Sequence, residues 1–519
     1  MADQQAILQE LARKRRARTL AVPTDDNRVK ARLRDFGEPI CLFGEGPGDR
    51  RERLRDVMAR KVVEEEGSQT RGRGRAVSVE VEDEDEDEEI VEEFYTPGPE
   101  ELLEARTAIA QYSLPRARAR IAEQRAEIDI PFPQRKKIRH EFYTEAKSFS
   151  IFSSQVADDR PASVCAFAPG SRFFATGGWS GLVKLWTVPG SERVWTWKGH
   201  KDRVSGIAFH PHATMPNHAP TTVALASCSS DSTINLYSLR QSTPLATLEG
   251  HVGRVARVAF HPSGRWLAST GFDTTWRLWD VERQEEMVEQ EGHAREVYAI
   301  GFQGDGALVG TAGFDSHARI WDLRSGRSIT NLSGHVRPIL SLDFDPNGYT
   351  VATGGEDNTV RIWDLRTRKC IYTIAAHENL VSSVRFWKGR VAELGASFGG
   401  AVNGGGDHAM NGVEAFAPDD HMRRQQLDGS FLVTTSYDGT VKLWTEGDWK
   451  CLRVMQGHEG KVMDGDVSGG TCRDLAGCDL ISSLDPANSC LDGRFIGTVG
   501  FDRTFKLWTR EMDIGSLEV

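Results

Sequence analysis

The sequence predicts an all-β second half arranged as a seven-bladed propeller, behind a mostly helical, partly disordered N-terminal arm. Three observations carry that reading. All 13 tryptophans of the 519-residue chain lie at or beyond Trp179, a sharp shift in composition. Beyond about residue 145, short apolar β-branched runs alternate with Gly, Asp, Asn and Ser, the pattern of strands and turns. The same half repeats: Trp279, Trp321 and Trp363 are spaced 42 apart, as are His251, His293 and His335.

The repeat has a fixed grammar. One unit reads GHVGRVARVAFHPSGRWLASTGFDTTWRLWD, Gly250 to Asp280. Others end RIWD at Asp322 and Asp364, and weaker copies end KLW at Trp186, Trp444 and Trp508 or NLY at Tyr237, making seven units. A period of about 40–45 residues with Gly-His and Trp-Asp ends is the WD40 signature, four strands per blade.

Four polar residues recur inside the unit. His251, Ser269, Asp273 and Trp279 return at the same offsets as His293, Thr311, Asp315 and Trp321, and as His335, Thr353, Asp357 and Trp363. Unit six keeps His377, Thr434, Asp438 and Trp444; unit seven keeps His458, Thr498, Asp502 and Trp508; unit two has His200, Ser227, Asp231 and Tyr237. In the known WD40 arrangement the turn Asp accepts from His, His bonds the hydroxyl, and the hydroxyl meets the Trp N–H. Such a chain satisfies every polar member and pins strands together. A catalytic His-Asp-Ser triad is the competing reading, but an enzyme needs one site and these copies fill most units. Unit one keeps Thr176 and Trp186, has Ser180 where Asp belongs, and lacks the His.

The stretch Phe149–Val156 precedes unit one and is expected to supply the outer strand of the last blade, closing the ring and removing exposed edges. A three-stranded last blade is the alternative. Insertions at about 211–222, 389–430 and 468–492 fall between the first and second strands of their units, so all three should leave from one side. The middle one is Gly-rich and reads as disordered. The opposite side carries aromatics before the turn Asp, Phe272, Phe314, Tyr437 and Phe501, with Trp179 at the matching place in unit one. Arg203, Arg254, Arg295 and Arg337 fall near the starts of innermost strands. These suit a protein-binding surface and could stack on RNA. Packing within the turns, with solvated arginines, is the plain alternative.

The first 147 residues divide by composition. Residues 1–21 form a basic helix; 22–66 hold short helices around an apolar knob; 67–98 are an acidic, disordered linker; 99–147 are a helical basic connector leading to the propeller at 148–519. Thr24 or Asp25 can cap a helix ending at Asp35, Gly37 stops it, and Asp49 can open the next. Such a module buries little surface alone and should pack on a partner. The helix candidate Pro99–Gln111 precedes two basic clusters. These are PRARAR, with Arg116, Arg118 and Arg120, and QRKKIRH, with Arg135, Lys136, Lys137 and Arg139. They are candidates for phosphate contact or nuclear import, or else solvated helix faces.

Composition narrows the class further. The net charge of −11 is matched by the 11 acidic residues of Glu80–Glu93 alone, so the rest of the chain is balanced. No apolar run approaches a membrane span and no signal-peptide h-region opens the chain, so a reducing compartment is expected. The eight cysteines include no CxxC pair, and Cys472, Cys478 and Cys490 read as free thiols rather than a metal site. No metal and no cofactor are expected.

GEPICLFGE followed by RRERLR, within Val22–Arg55, resembles the motif shared by the Prp-four and Prp-eighteen families of splicing proteins. With seven WD40 units behind it, the chain resembles the Prp-four family of the U4/U6 small nuclear ribonucleoprotein. The resemblance implies partner-binding roles for Pro23, Gly37, Glu38, Pro39, Ile40, Leu42, Phe43, Gly44, Arg51 and Leu54. It implies a nuclear, non-catalytic subunit of the U4/U6·U5 tri-snRNP. Such a subunit would meet a Prp-three-type splicing factor, an snRNP-associated cyclophilin and other tri-snRNP proteins, with U4/U6 snRNA contacted directly or through them. The acidic run and the Gly-rich insertion depart from the family pattern. Two alternatives stand beside it: a generic WD40 scaffold, such as a ubiquitin-ligase adaptor or chromatin reader, and a propeller enzyme. The enzyme would need one unrepeated cluster of carboxylates or metal ligands at the channel, and the sequence offers none.

Overall fold

The structure is a computed structural model that describes residues 26–39, 49–55, 57–58, 100–128, 131–213, 222–387, 431–469 and 495–511. The chain divides into two compact units, Met1–Tyr95 and Thr96–Val519.

In the first unit, helix α1 spans Asp26–Asp35 and places Arg32 and Arg34 in its last turn, where their charge suits the helix dipole. It ends in a Schellman motif. Gly37 N–H donates to Arg34 O at 2.9 Å and Glu38 N–H to Leu33 O at 2.9 Å. Gly37 has φ +74°, which a side chain would resist. Residues 49–55 are helical again. Val29 and Leu33 of α1 bury against Leu54, with Phe36 and Met58 at the edge.

The second unit is built from seven four-stranded antiparallel sheets. The first three strands of each sheet follow in chain order, innermost first. The second strands are the most enclosed: Trp266–Gly271 and Thr350–Gly355 are buried at every position. Fourth strands such as Arg327–Ser333 are mostly exposed. Cores form between adjacent blades because each sheet needs both faces covered. Trp266 and Leu278 of the third blade pack with Ile300 and Phe302 of the fourth.

The ring closes as the sequence predicts. Strand Phe149–Val156 pairs antiparallel with Thr504–Arg510, from Phe149 opposite Arg510 to Val156 opposite Thr504, with a bulge between Ile151 and Ser153. The sheet order there runs from the entering strand inward to Val462–Val467. The start and end of the propeller are thereby held in one sheet.

Two helices of the connector lie on the same unit. Helix α2 spans Glu100–Ile128, longer than the Pro99–Gln111 that the sequence predicts. Pro115 stands inside it, but Pro115 and Gln111 are both exposed, so water can take the carbonyl bond that proline forfeits. Burial of Ala105 and Ile109 against the propeller then outweighs local propensity. Helix α3 spans Phe132–Ala146, opening on a proline in its first turn.

Candidate partner-binding surfaces

The repeated polar residues form closed chains. His251 Nδ1 lies 2.7 Å from Asp273, its Nε2 lies 2.7 Å from Ser269 Oγ, and Trp279 Nε1 donates to the same hydroxyl at 2.8 Å. The chain is self-consistent when Nδ1 carries the proton, Nε2 accepts from the hydroxyl, and the hydroxyl accepts from Trp. The same geometry recurs for His293, Asp315, Thr311 and Trp321, for His335, Asp357, Thr353 and Trp363, for His377, Asp438, Thr434 and Trp444, and for His458, Asp502, Thr498 and Trp508. Burial alone would raise the Asp273 carboxyl, but hydrogen bonds from His251 and Thr275 hold it down at about 2, and Asp357 behaves alike through His335 and Thr359.

Two blades depart. In blade two, His200 reaches Ser227 at 2.7 Å and Asp231 at 3.3 Å, and Tyr237 takes the place of Trp with its buried hydroxyl beside Ser227 and Asn235. Asn235 Nδ2 also approaches His200 Nδ1, at 3.3 Å. In blade one, Asp158 stands in for the missing pair. It accepts from the Ser180 hydroxyl and from Lys184 Nζ at 3.0 Å, while Trp186 still donates to Thr176 at 2.9 Å. Asp158 precedes its blade's first strand and Thr176 by the same offsets at which His251 precedes Val255 and Ser269, so it holds the repeat's His position.

The turns bearing Asp273, Asp315 and their counterparts share one face, and the predicted aromatics lie there, Phe501 exposed and the other four half-buried. Phe272 and Phe314 meet with ring centroids 5.7 Å apart, and Trp179 meets Phe501 edge-on at 5.8 Å. Arg203 lies over Trp179 at 5.7 Å, Arg254 over Phe272 at 4.6 Å, and Lys461 over Tyr437 at 5.0 Å. Arg203 and Arg254 line the mouth of the central channel. Arg295 and Arg337 do not: Arg295 sits 3.6 Å from Glu296, and Arg337 lines a separate shallow recess with Glu356 and Asp357. Tyr298, absent from the predicted set, joins the mouth. It stands on an innermost strand, outside the turn position that flagged the others.

The opposite face carries the turns between first and second strands, and α2 docks there. Arg120 donates to Asp305 at 2.6 Å and to Asn347 O at 2.7 Å, and Gln124 donates to Asn347 O at 2.8 Å. Gly348, with φ +77°, leaves room there: a Cβ on it would collide with the Arg120 guanidinium. Tyr112 packs on His261, and Arg116 lies 4.3 Å over the Tyr112 ring. Of the first basic cluster, Arg118 faces solvent while Arg120 is spent on the propeller. Helix α3 stacks Phe142 on Trp387 and pairs Glu145 with Arg510 at 2.9 Å. Lys136, Lys137 and Arg139 are exposed on it. The side chain of Arg135 lies outside the described residues. The three insertions join first to second strands, so their ends emerge on this face; residues 214–221, 388–430 and 470–494 lie outside the described residues, with Cys472, Cys478 and Cys490.

Of the predicted arm residues, Gly37, Glu38, Pro39, Arg51 and Leu54 are described. Arg53 Nη1 donates to Pro39 O at 2.7 Å and ties the turn to the second helical stretch. Pro23, Ile40, Leu42, Phe43 and Gly44 lie outside the described residues, as does the acidic run.

Comparison with known proteins agrees with these features. Residues 29–57 match the family described as pre-mRNA processing factor 4 (PRP4) like. The WD domain, G-beta repeat, matches at 156–187, 191–238, 242–280, 284–322, 326–364 and 415–445. This chain is a WD40-repeat protein with a PRP4-like motif. Its last blade is not among those matches, yet carries a complete polar chain from His458 to Trp508. The chain is 42% identical over 212 residues to the human U4/U6 small nuclear ribonucleoprotein Prp4, covering 41% of this chain and 39% of that protein. It is 38% identical over 249 residues to an Arabidopsis thaliana U4/U6 small nuclear ribonucleoprotein PRP4-like protein, covering 48% and 43%. It is 37% identical over 265 residues to an uncharacterized WD repeat-containing protein of Schizosaccharomyces pombe, covering 51% and 55%. These matches span about half, or less, of the relatives' own lengths.

Two further features of the WD40 ring escape the repeat grammar. His261 Nε2 donates to Gly306 O at 2.8 Å and Gln303 Nε2 to Gly348 O at 2.6 Å, so in the third and fourth blades the residue after the innermost strand hooks the turn of the next blade. The signal was present in the FHP at Phe260 and the FQG at Phe302, which end the two first strands. Across the channel, Arg257 of the third blade reaches Asp464 of the seventh at 2.8 Å. Among the described residues, no group of His, Cys, Asp and Glu is placed to hold a metal ion.

Proposed function

We propose that this chain is a non-catalytic assembly subunit of the U4/U6 snRNP and the U4/U6·U5 tri-snRNP, acting in the nucleus in pre-mRNA splicing. The observation that carries the reading is the PRP4-like match over residues 29–57 ahead of WD40 repeats. An adaptor or chromatin reader built on the propeller alone would not need that motif. The relatives' names support it, and the repeated His-Asp chains support a structural use of residues that a hydrolase would concentrate in one site.

Its mechanism is multivalent holding. The ring is a rigid platform, and the N-terminal motif adds a second contact whose linkage raises effective concentration. Partners of this kind are a Prp-three-type splicing factor and an snRNP-associated cyclophilin, with U4/U6 snRNA held through them or by the exposed Arg118, Lys136, Lys137 and Arg139.

The test is to immunopurify the tagged full chain from nuclear extract and sequence the bound small RNAs. U4 and U6 enriched together, with U5 at lower salt, is the expected result. A folded chain that recovers no small nuclear RNA would leave a WD40 scaffold of another process.

A further inference from the structure

The mouth of the central channel is a cavity of about 130 Å³ on the face of the turn aspartates. Its wall includes Trp179, Arg203, Arg254, Tyr298, Tyr437 and Met463, and no carboxylate lines it. That charge arrangement is unusual on this ring. Elsewhere on the same face arginines stand beside acids, as Arg295 does beside Glu296.

Arg254 is the central feature. Among the described residues its buried Nε has no hydrogen-bond partner, and the guanidinium lies over the Phe272 ring at 4.6 Å. A buried guanidinium N–H without an acceptor is costly unless something arrives to accept its hydrogen bond. Burial, and then the like charges of Arg203 and Arg257, push it below the usual arginine value. Arg203 is held ready differently: its Nε donates to Ser230 Oγ at 3.0 Å and its guanidinium lies over Trp179 at 5.7 Å, leaving the fork beside the opening. Arg257, deeper in, is already paired with Asp464.

We propose that this mouth takes an aspartate or glutamate side chain of an extended acidic partner peptide, with Arg254 and Arg203 as the carboxylate ligands and Trp179, Tyr298 and Tyr437 as the walls. Planar guanidinium forks suit planar carboxylates. The size argues for one side chain: the cavity falls well below the roughly 300–1,000 Å³ of small-molecule sites, too small for a nucleotide. The inference refines the proposed use of the propeller as a partner platform and does not depend on the splicing assignment, which the RNA recovery above tests separately.

The experiment uses the full chain and fluorescence anisotropy with a labelled oligoglutamate peptide, an oligoglutamine peptide of the same length, and an oligouridylate. Oligoglutamate should bind at least about tenfold tighter than oligoglutamine. Arg254→Gln should lose about tenfold or more, with Arg254→Lys retaining part, at unchanged circular dichroism. Arg203→Gln, nearer the rim, repeats the test if Arg254→Gln does not fold. Equal binding of the two peptides overturns the proposal, as does oligoglutamate binding that ignores both arginine variants. Preferred oligouridylate binding that is lost in Arg254→Gln would also overturn it and make the mouth an RNA contact.

Discussion

Arg257 and Asp464 form an ion pair across the ring, 2.8 Å apart, from the innermost strands of the third and seventh blades. The Asp464 side chain is fully buried and that of Arg257 is 12% exposed. The pair braces two blades that share no hydrogen-bonded ladder.

Removing one partner strands a charge in the channel. Asp464→Asn should therefore cost about 3–5 kcal/mol, while Arg257→Met with Asp464→Leu should cost less because neither charge remains buried. Melting temperatures of the parent, single and double variants check the order. A single variant that melts with the parent would remove the brace from the account.

The polar chains make a second prediction. Asp315→Ala leaves His293 Nδ1 without its acceptor 2.8 Å away and should destabilise the fourth blade by about 1–3 kcal/mol. Tyr237→Phe in blade two should cost less, about 0.5–1.5 kcal/mol, because it removes only a neutral hydroxyl beside Ser227 and Asn235. Denaturant midpoints of the two variants check the order.

His261 links stability to pH. Burial among Trp266, Phe302 and Tyr112 pushes its imidazole down to about 4, from an ordinary 6.5. Between those values the unfolded chain binds a proton that the folded chain refuses, so stability is complete above the ordinary value and is lost as pH falls through 6.5 toward 4. His261→Gln should flatten that part of the melting profile, although it lowers stability at pH 7 by disturbing the bond to Gly306 O. A slope unchanged from the parent in His261→Gln would assign the acid limb to other groups.

The seat of α2 is testable locally. Arg120→Ala leaves the buried Asp305 carboxylate without its guanidinium and should loosen the C-terminal half of the helix. Amide exchange across residues 113–128 should accelerate while the second strands of the blades keep their protection. Arg118→Ala, from an exposed position in the same cluster, is the control and should leave exchange unchanged.

The architecture was legible because a repeat announces itself many times over. The spacing of His251, Asp273 and Trp279 returns with the same chemistry, and strand periodicity supports it at every copy. Phe149–Val156 could be assigned to the last blade because a ring with an unpaired edge is a liability. The contents of the two faces were less legible. Arg116, Arg118 and Arg120 are alternating letters of one basic run, yet one lies over an aromatic ring, one is solvated and one is buried on Asp305.

The sequence by itself determined the strands, the seven blades and the polar chains inside them, since each depends on residues of one repeat and its short-range period. Only the tertiary structure decided what lies between repeats: the pair of Arg257 with Asp464 and the meeting of Arg203, Arg254 and Tyr298 at the channel. Those contacts join positions up to 207 residues apart, and ring closure, which no local pattern encodes, is the physical event that brings them within reach.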